Sequence, residues 1–284
     1  MSDTLIVGAT GRVGGLVAGE LDRRGVGYAV MSSRPAAARE RFGDVREGDM
    51  RRPETLPAAL EGVRRAFLVT PLGPDETDCG HAFLDAADAA GVQKIVYVAI
   101  MNIEAMAAIP HFATKLPIRE RLLASGPNVV IDANFFMQND LLAEPALRAG
   151  VYPLPIGRTG VNSVDARDVA LASANALVGD AHDGRAVPVC GPDVVTGPSA
   201  AEAYGRATGR LFAYPGDAID PFIGAIAAAM PMDDWVEHDL REMMRVTQEL
   251  GCLATEDDHA RCRAVLGQAP RRHADFVAEV ASRL

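Results

Sequence analysis

The sequence predicts an α/β fold: a doubly wound parallel sheet with a smaller, mostly helical C-terminal lobe. Three observations lead there. The chain opens with the apolar run Leu5-Ile6-Val7, which passes through Gly8, Gly11 and Gly14 into an amphipathic stretch. Continuous apolar runs then alternate with helical patterns through the first half, as a parallel sheet covered on both faces requires. Glycines 25, 91 and 126 follow the helical stretches, where a left-handed C-cap is expected.

In chain order, the first strand is expected at 4–8 and the first helix at 12–24, with Val13, Leu16, Val17 and Leu21 on one face. The second strand, 27–32, is the run Tyr28-Ala29-Val30-Met31, and a helix over 35–42 follows. A third strand at 44–48 leads to Gly48-Asp49-Met50, and Pro53 opens a helix over 53–61, a place its fixed φ suits. Strands at 65–70, 94–99 and 128–133 then alternate with helices at 76–90 and 111–125, joined by right-handed crossovers. Beyond 150 the pattern is less regular. Val187-Pro188-Val189-Cys190-Gly191-Pro192 reads as a short strand and turn, and helical patterns cover 199–208, 217–230, 233–250, 256–266 and 271–283. Trp235, Val236, Leu240, Met243 and Met244 are expected to form a buried helical stripe, with a substrate box as the alternative. With no repeat or low-complexity linker, residues 1–150 and 151–284 are expected to be two lobes of one core, with the binding cleft between them.

The strand, glycine turn and helix at the N-terminus are the context a dinucleotide fingerprint requires. Gly8 permits the turn, Gly11 lets backbone approach a pyrophosphate, and Gly14 allows close helix packing. The candidate cradle is Gly8, Thr10, Gly11, Arg12, Val13 and Gly14, with the helix N-terminus supplying N–H groups to phosphate. Folds selective for NAD usually carry an acid at the end of the second strand. Here the strand ends Ser32-Ser33-Arg34-Pro35, and a guanidinium there suits a 2′-phosphate. NADP(H) is therefore the expected cofactor, held in part by Ser33 and Arg34; the alternative for Arg34 is a solvated turn residue. Asp49, beside Met50, is open between a bond to the adenine amino group and a turn cap.

Composition narrows the function classes. The chain has 284 residues, 49% of them hydrophobic, and a net charge of −10, which argues against nucleic acid as a partner. No apolar run reaches the length of a membrane span. Asp3 leads directly into the first strand with no signal-peptide pattern. Cys79, Cys190, Cys252 and Cys262 show no CxxC spacing, so free thiols and a cytoplasmic location are expected. No metal site is expected, and the histidines fit no HExxH pattern. Among 28 basic residues, lysine occurs only at 94 and 115, which singles out Lys115.

The fingerprint Gly8-Ala9-Thr10-Gly11-Arg12-Val13-Gly14 is followed in order by several further motifs. They are Leu68-Val69-Thr70-Pro71, Ala90-Gly91-Val92-Gln93-Lys94-Ile95-Val96-Tyr97, His111-Phe112-Ala113-Thr114-Lys115 and Asn134-Phe135-Phe136-Met137-Gln138-Asn139. Val164-Asp165-Ala166-Arg167-Asp168-Val169-Ala170 and Pro270-Arg271-Arg272 complete the series. On these the chain resembles the NmrA-like, atypical short-chain dehydrogenase/reductase group of the NAD(P)-binding Rossmann superfamily. The resemblance implies NADP(H) on the glycine loop and Arg34, with Thr70-Pro71 along the path of the pyrophosphate and nicotinamide ribose. Ordinary short-chain dehydrogenases use a Ser, a Tyr and a Lys four residues after the Tyr. This chain keeps Lys115, but His111 stands at the tyrosine position and Ala99 at the serine position.

Lys115 and His111 lie one helical turn apart and are the candidate catalytic residues. Lys115 would bond the ribose hydroxyls, and His111, with an ordinary pKa near 6.5, would serve as a proton donor or else open the helix after Pro110. Phe135 is a candidate packing surface for the nicotinamide; Phe135 and Phe136 cannot both face inward on one strand. Met101, Met106, Met137, Met230 and Met232 offer adaptable apolar contacts or ordinary packing. Asp165, Arg167 and Asp168 read mainly as an ion pair or helix cap. Two functions remain. One is an NADPH-dependent oxidoreductase acting on a small, apolar, electron-poor acceptor such as a quinone, enone or polycyclic metabolite, with a homodimer as the expected assembly. The other is an NADP(H)-sensing regulator with little turnover.

Overall fold

The computed structural model describes residues 2–229 and 231–284, so Met230 lies outside the described residues. Its strands are Thr4–Val7 (β1), Ala29–Ser32 (β2), Val45–Glu47 (β3), Arg65–Leu68 (β4), Lys94–Ile100 (β5), Val129–Ala133 (β6) and Arg185–Val189 (β7). Leu5-Ile6-Val7 and Ala66-Phe67-Leu68 are buried throughout, as strands covered by helices on both faces must be. The sheet order is β3-β2-β1-β4-β5-β6-β7. β1 pairs in parallel with β2 (Leu5 opposite Ala29) and with β4 (Leu5 opposite Ala66). The β2–β3 and β4–β5 pairings are parallel too. Strand order reverses at β1 and β4, and doubly wound sheets bind their ligands at the carboxyl ends of such a pair.

The helices are Arg12–Arg23 (α1), Pro35–Arg39 (α2), Leu56–Ala59 (α3), Glu76–Ala90 (α4), Pro110–Leu123 (α5), Glu144–Arg148 (α6) and Ala166–Val178 (α7). Gly197–Thr208 (α8), Ile219–Ala229 (α9), Asp234–Leu250 (α10), Glu256–Leu266 (α11) and His273–Ala281 (α12) follow. The stretch read as one helix over 53–61 is a 3-10 turn, Pro53–Thr55, followed by the short α3. α7 has no counterpart in the sequence reading. Nine of its residues, among them Val169, Ala170, Ser173 and Leu177, are buried, so it lacks the polar face that marks a helix in sequence.

The chain divides into two compact units that interleave in sequence. Unit 1 comprises Met1–Ile100, Thr114–Asp132 and Ala166–Val187; unit 2 comprises Met101–Ala113, Ala133–Asp165 and Pro188–Leu284. Residues 166–187, expected in the second lobe, thus belong to unit 1. The reason is α7, which packs on α1 and against β4 and β5. Arg24 Nη2 donates to Asn175 Oδ1 on α7 (2.7 Å). Lys94 Nζ donates to the Gly179 carbonyl just past its end (2.6 Å) and pairs with Asp183. A cation at a helix C-terminus also complements the dipole. The core of unit 1 includes Leu5, Val7, Met31, Leu68, Phe83, Tyr97 and Ile118.

Unit 2 is organised around a buried carboxylate. Asp140 accepts from Tyr152 Oη (2.9 Å) and Tyr204 Oη (3.0 Å) and lies 3.2 Å from His273 Nε2. Tyr204 stacks on Phe212 with ring centroids 5.5 Å apart. Among the described residues no helix is long and apolar enough to cross a membrane, and no cluster of His, Cys, Asp or Glu is arranged to hold a metal.

Candidate functional site

The carboxyl end of β1 becomes a cradle because three glycines each do something a side chain would prevent. Gly8 takes a left-handed φ of +82°, and a Cβ there would lie 3.3 Å from Val69 Cβ, just past β4. The Gly11 N–H donates to the Gly8 carbonyl (2.9 Å), which closes the turn. A Cβ on Gly14 would sit 2.3 Å from the Gly8 carbonyl oxygen, so only hydrogen fits. Gly11 is the N-cap of α1 and offers no side chain to its first-turn N–H groups. Thr10, Gly11 and Arg12 are exposed and Val13 is half-buried. This arrangement presents backbone donors and the positive end of α1 to an anion, as a pyrophosphate requires.

Ser33 and Arg34 are exposed at the end of β2, the strand beside β1. The Arg34 N–H donates to Ser32 Oγ (3.1 Å), so Ser32, not Ser33, shapes the turn. Among the described residues the Arg34 guanidinium makes no ion pair. Arg41 approaches the cradle from another side: its Nη2 would lie 3.5 Å from a Cβ on Gly15. Asp49 is committed to its own turn, with Oδ1 accepting from the Arg51 N–H (2.9 Å) while its N–H donates to Thr55 Oγ1 (2.9 Å). Met50 belongs to the core of unit 1. Asp49 thus caps its own turn through Oδ1, and Met50 packs in the interior of unit 1.

The end of β4 carries the second half of the site. Thr70 is buried, and Pro71 is half-buried. Thr70 Oγ1 donates to Glu76 Oε1, lies 3.3 Å from Tyr97 Oη, and accepts from Lys115 Nζ at 3.3 Å. Lys115 Nζ also pairs with Glu76 Oε1, and Thr114 Oγ1 donates to Glu76 Oε2 (2.6 Å). Glu76 has no exposed surface, whereas the Lys115 side chain keeps 13% of its own. Burial works against the Lys115 ammonium, but the Tyr97 and Glu76 oxygens outweigh it and hold the amine above its ordinary value. Burial likewise pushes the Tyr97 phenol up, against the pull of Lys115, so it stays a neutral hydroxyl. Ala99, the residue expected at the serine position of ordinary short-chain dehydrogenases, is a core residue.

His111 and Phe135 lie in unit 2. His111 Nδ1 contacts both Asp239 oxygens (2.7 and 2.8 Å), and its backbone N–H donates to Oδ1 (2.8 Å). The carboxylate of α10 thus anchors the first turn of α5. Phe135 is half-buried and lies beyond the end of β6; its N–H donates to Asn134 Oδ1 (2.7 Å). Phe136 is half-buried too, whereas Met101, Met106 and Met137 are packed in the interior. Gln138 Nε2 donates to Asp165 Oδ1 (3.0 Å).

Glu76, Tyr97 and Asp239 escaped the sequence reading. Glu76 is the first residue of α4, where an acid ordinarily means a solvated dipole partner. Tyr97 did carry a signal, since a phenol inside a continuous apolar strand must find a polar partner. Asp239 carried a weaker one, a carboxylate one residue before Leu240 of the expected stripe, of which only Met244 is fully buried and Trp235, Val236, Leu240 and Met243 are half-buried.

The NmrA-like family profile matches residues 1–261. An NAD(P)H azoreductase of Xenophilus azovorans is 34% identical over 220 residues, covering 74% of this chain and 75% of that protein. A (4-alkanoyl-5-oxo-2,5-dihydrofuran-3-yl)methyl phosphate reductase of Streptomyces griseus is 32% identical over 234 residues, covering 80% and 81%. Among solved structures, the NADPH-dependent quinone oxidoreductase QOR2 of Escherichia coli superposes with a TM-score of 0.84 at 21% identity, covering 98% of this chain and 99% of that one.

Proposed function

The chain belongs to the NmrA-like family, and on that premise we propose that it is an NADP(H)-dependent oxidoreductase whose acceptor is a small, apolar, electron-poor molecule: a quinone, an enone or a polycyclic metabolite. The observation that carries this reading is the pairing of a side-chain-free cradle at β1 with an exposed guanidinium and no acid at the end of β2. Gly8, Thr10, Gly11, Arg12, Val13 and Gly14 would hold the pyrophosphate, and Ser33 and Arg34 the 2′-phosphate. Thr70, Pro71 and Lys115 would line the nicotinamide ribose. The 34% identical relative is named for NAD(P)H use, which supports the cofactor class.

When bound, the nicotinamide supplies hydride. The chain's contribution is orientation and exclusion of water. Lys115 offers a charged donor fixed from two sides, and Thr70 a hydroxyl whose proton is committed to Glu76. With Ala99 and His111 at the serine and tyrosine positions, no phenol of the ordinary kind serves the acceptor. Electron-poor acceptors tolerate that, because the reduced product takes its one proton from solvent or from a neighbouring acid.

The test is loss of NADPH absorbance with a para-quinone, an enone and an aromatic azo dye in turn. Turnover with at least one of them, reduced by about 10²-fold or more in Lys115→Met, is expected for a group that orients the reacting ring. Tight NADPH binding without turnover on any of them would favour the cofactor-sensing reading instead.

A further inference from the structure

Glu76 is a carboxylate with no exposed surface, and such a group is costly unless paired and fully bonded. It is both. Oε1 receives Lys115 Nζ and the Thr70 hydroxyl, and Oε2 receives the Thr114 hydroxyl. It stands in the first turn of α4, where the helix dipole favours an acid. The titratable groups facing Lys115 are Glu76 from α4 and Tyr97 from β5; Thr70 beyond β4 adds an uncharged oxygen. Tyr97 remains protonated through the neutral range, so Glu76 is the formal counter-charge.

We propose that Glu76 is a positioning residue that fixes the Lys115 ammonium and the Thr70 hydroxyl together, so that the cofactor end of unit 1 works through a Glu76–Lys115–Thr70 unit and not through a lone lysine. The inference rests on the reading of Lys115 as a cofactor-binding group. Removing one partner of a buried ion pair leaves the other charge uncompensated. In Glu76→Gln the amide can still bond Thr114, but burial then acts on Lys115 without its carboxylate counter-charge, and the amine loses its proton at lower pH. Glu76→Asp keeps the charge and restores the pairing.

Two lysines make this directly readable. The full chain, labelled with isotope at lysine Cε, gives one signal each for Lys94 and Lys115, assigned with Lys94→Arg. In the wild type the Lys115 signal is expected to stay unmoved until at least the ordinary lysine value of about 10.4. In Glu76→Gln it is expected to titrate at least about one pH unit lower, with NADPH affinity falling about tenfold across that same range, while the wild type stays flat. Glu76→Asp is expected to follow the wild type. A wild-type Lys115 that titrates below the ordinary value overturns the inference, and that measurement decides it even if Glu76→Gln does not fold. Titration and affinity curves in Glu76→Gln that track the wild type overturn it as well, because a merely structural Glu76 would lower the melting temperature and leave both curves in place. If Lys115→Met binds NADPH as tightly as the wild type, the reading of Lys115 itself fails. If it binds weakly while Glu76→Gln is unchanged, only the role of Glu76 falls.

Discussion

A methyl group on residue 14 has nowhere to go: it would meet the Gly8 carbonyl oxygen at 2.3 Å and its carbon at 2.6 Å, both rigid backbone. Gly14→Ala is therefore expected to push the turn out of shape and weaken NADPH binding by at least about tenfold, the scale of losing a charge-assisted hydrogen bond, as fluorescence titration would read. Asp239→Ala leaves the His111 N–H and ring nitrogen without their carboxylate and is expected to cost about 1–3 kcal/mol in denaturant unfolding. Legibility at this scale was uneven. Glycine spacing disclosed the cradle because only glycine meets its steric demands. Glu76 was opaque, because the residue type that pairs a buried lysine is the same one that decorates a helix start. Arg34 was legible as an absence of acid, and the structure leaves its guanidinium exposed.

Among the elements, α11 and α7 show what a sequence can and cannot announce. α11 begins after Thr255, whose hydroxyl accepts from the Asp258 N–H (3.2 Å) while Asp258 Oδ2 accepts from the Thr255 N–H (2.9 Å). That reciprocal box fixes the helix start, and the expected bounds of 256–266 match Glu256–Leu266. Thr255→Ala is expected to cost about 1 kcal/mol of stability in thermal or denaturant unfolding, with the far-ultraviolet spectrum unchanged. α7 lacked such a signal: its alanines serve burial on several sides, so periodicity vanished. Its anchoring at Gly179 involves Lys94, the lysine for which the sequence suggested no role. Lys94→Met should lower stability by about 1–3 kcal/mol, since Asp183 and a carbonyl lose their donor.

For the whole molecule, the buried central strands were readable because each is a short apolar run, whereas the place of β7 at the edge of the same sheet and the interleaving of the two units were not. Nothing in 166–187 distinguishes a return to unit 1 from a step into unit 2; that choice is made by packing against α1. The four cysteines are buried, and among the described residues none is joined in a disulfide. Burial pushes Cys79 to about 11 and Cys252 to about 12, and burial with Asp22 beside it takes Tyr28 to about 12. Folded values above the unfolded ones mean that the native state binds more protons at alkaline pH. Stability is thus expected to be full below about pH 8.5, the ordinary thiol value, and to fall as pH rises toward 11–12. A melting temperature that rises over that interval would contradict this. If the opening loop and Arg34 take a 2′-phosphorylated dinucleotide, a paired titration of NADPH and NADH on the wild type and on Arg34→Ala will read it. NADPH is expected to bind the wild type at least about tenfold more tightly than NADH, a preference that collapses in the variant while NADH affinity is unchanged. Equal affinity for both nucleotides in the wild type, or no binding of either, would contradict it.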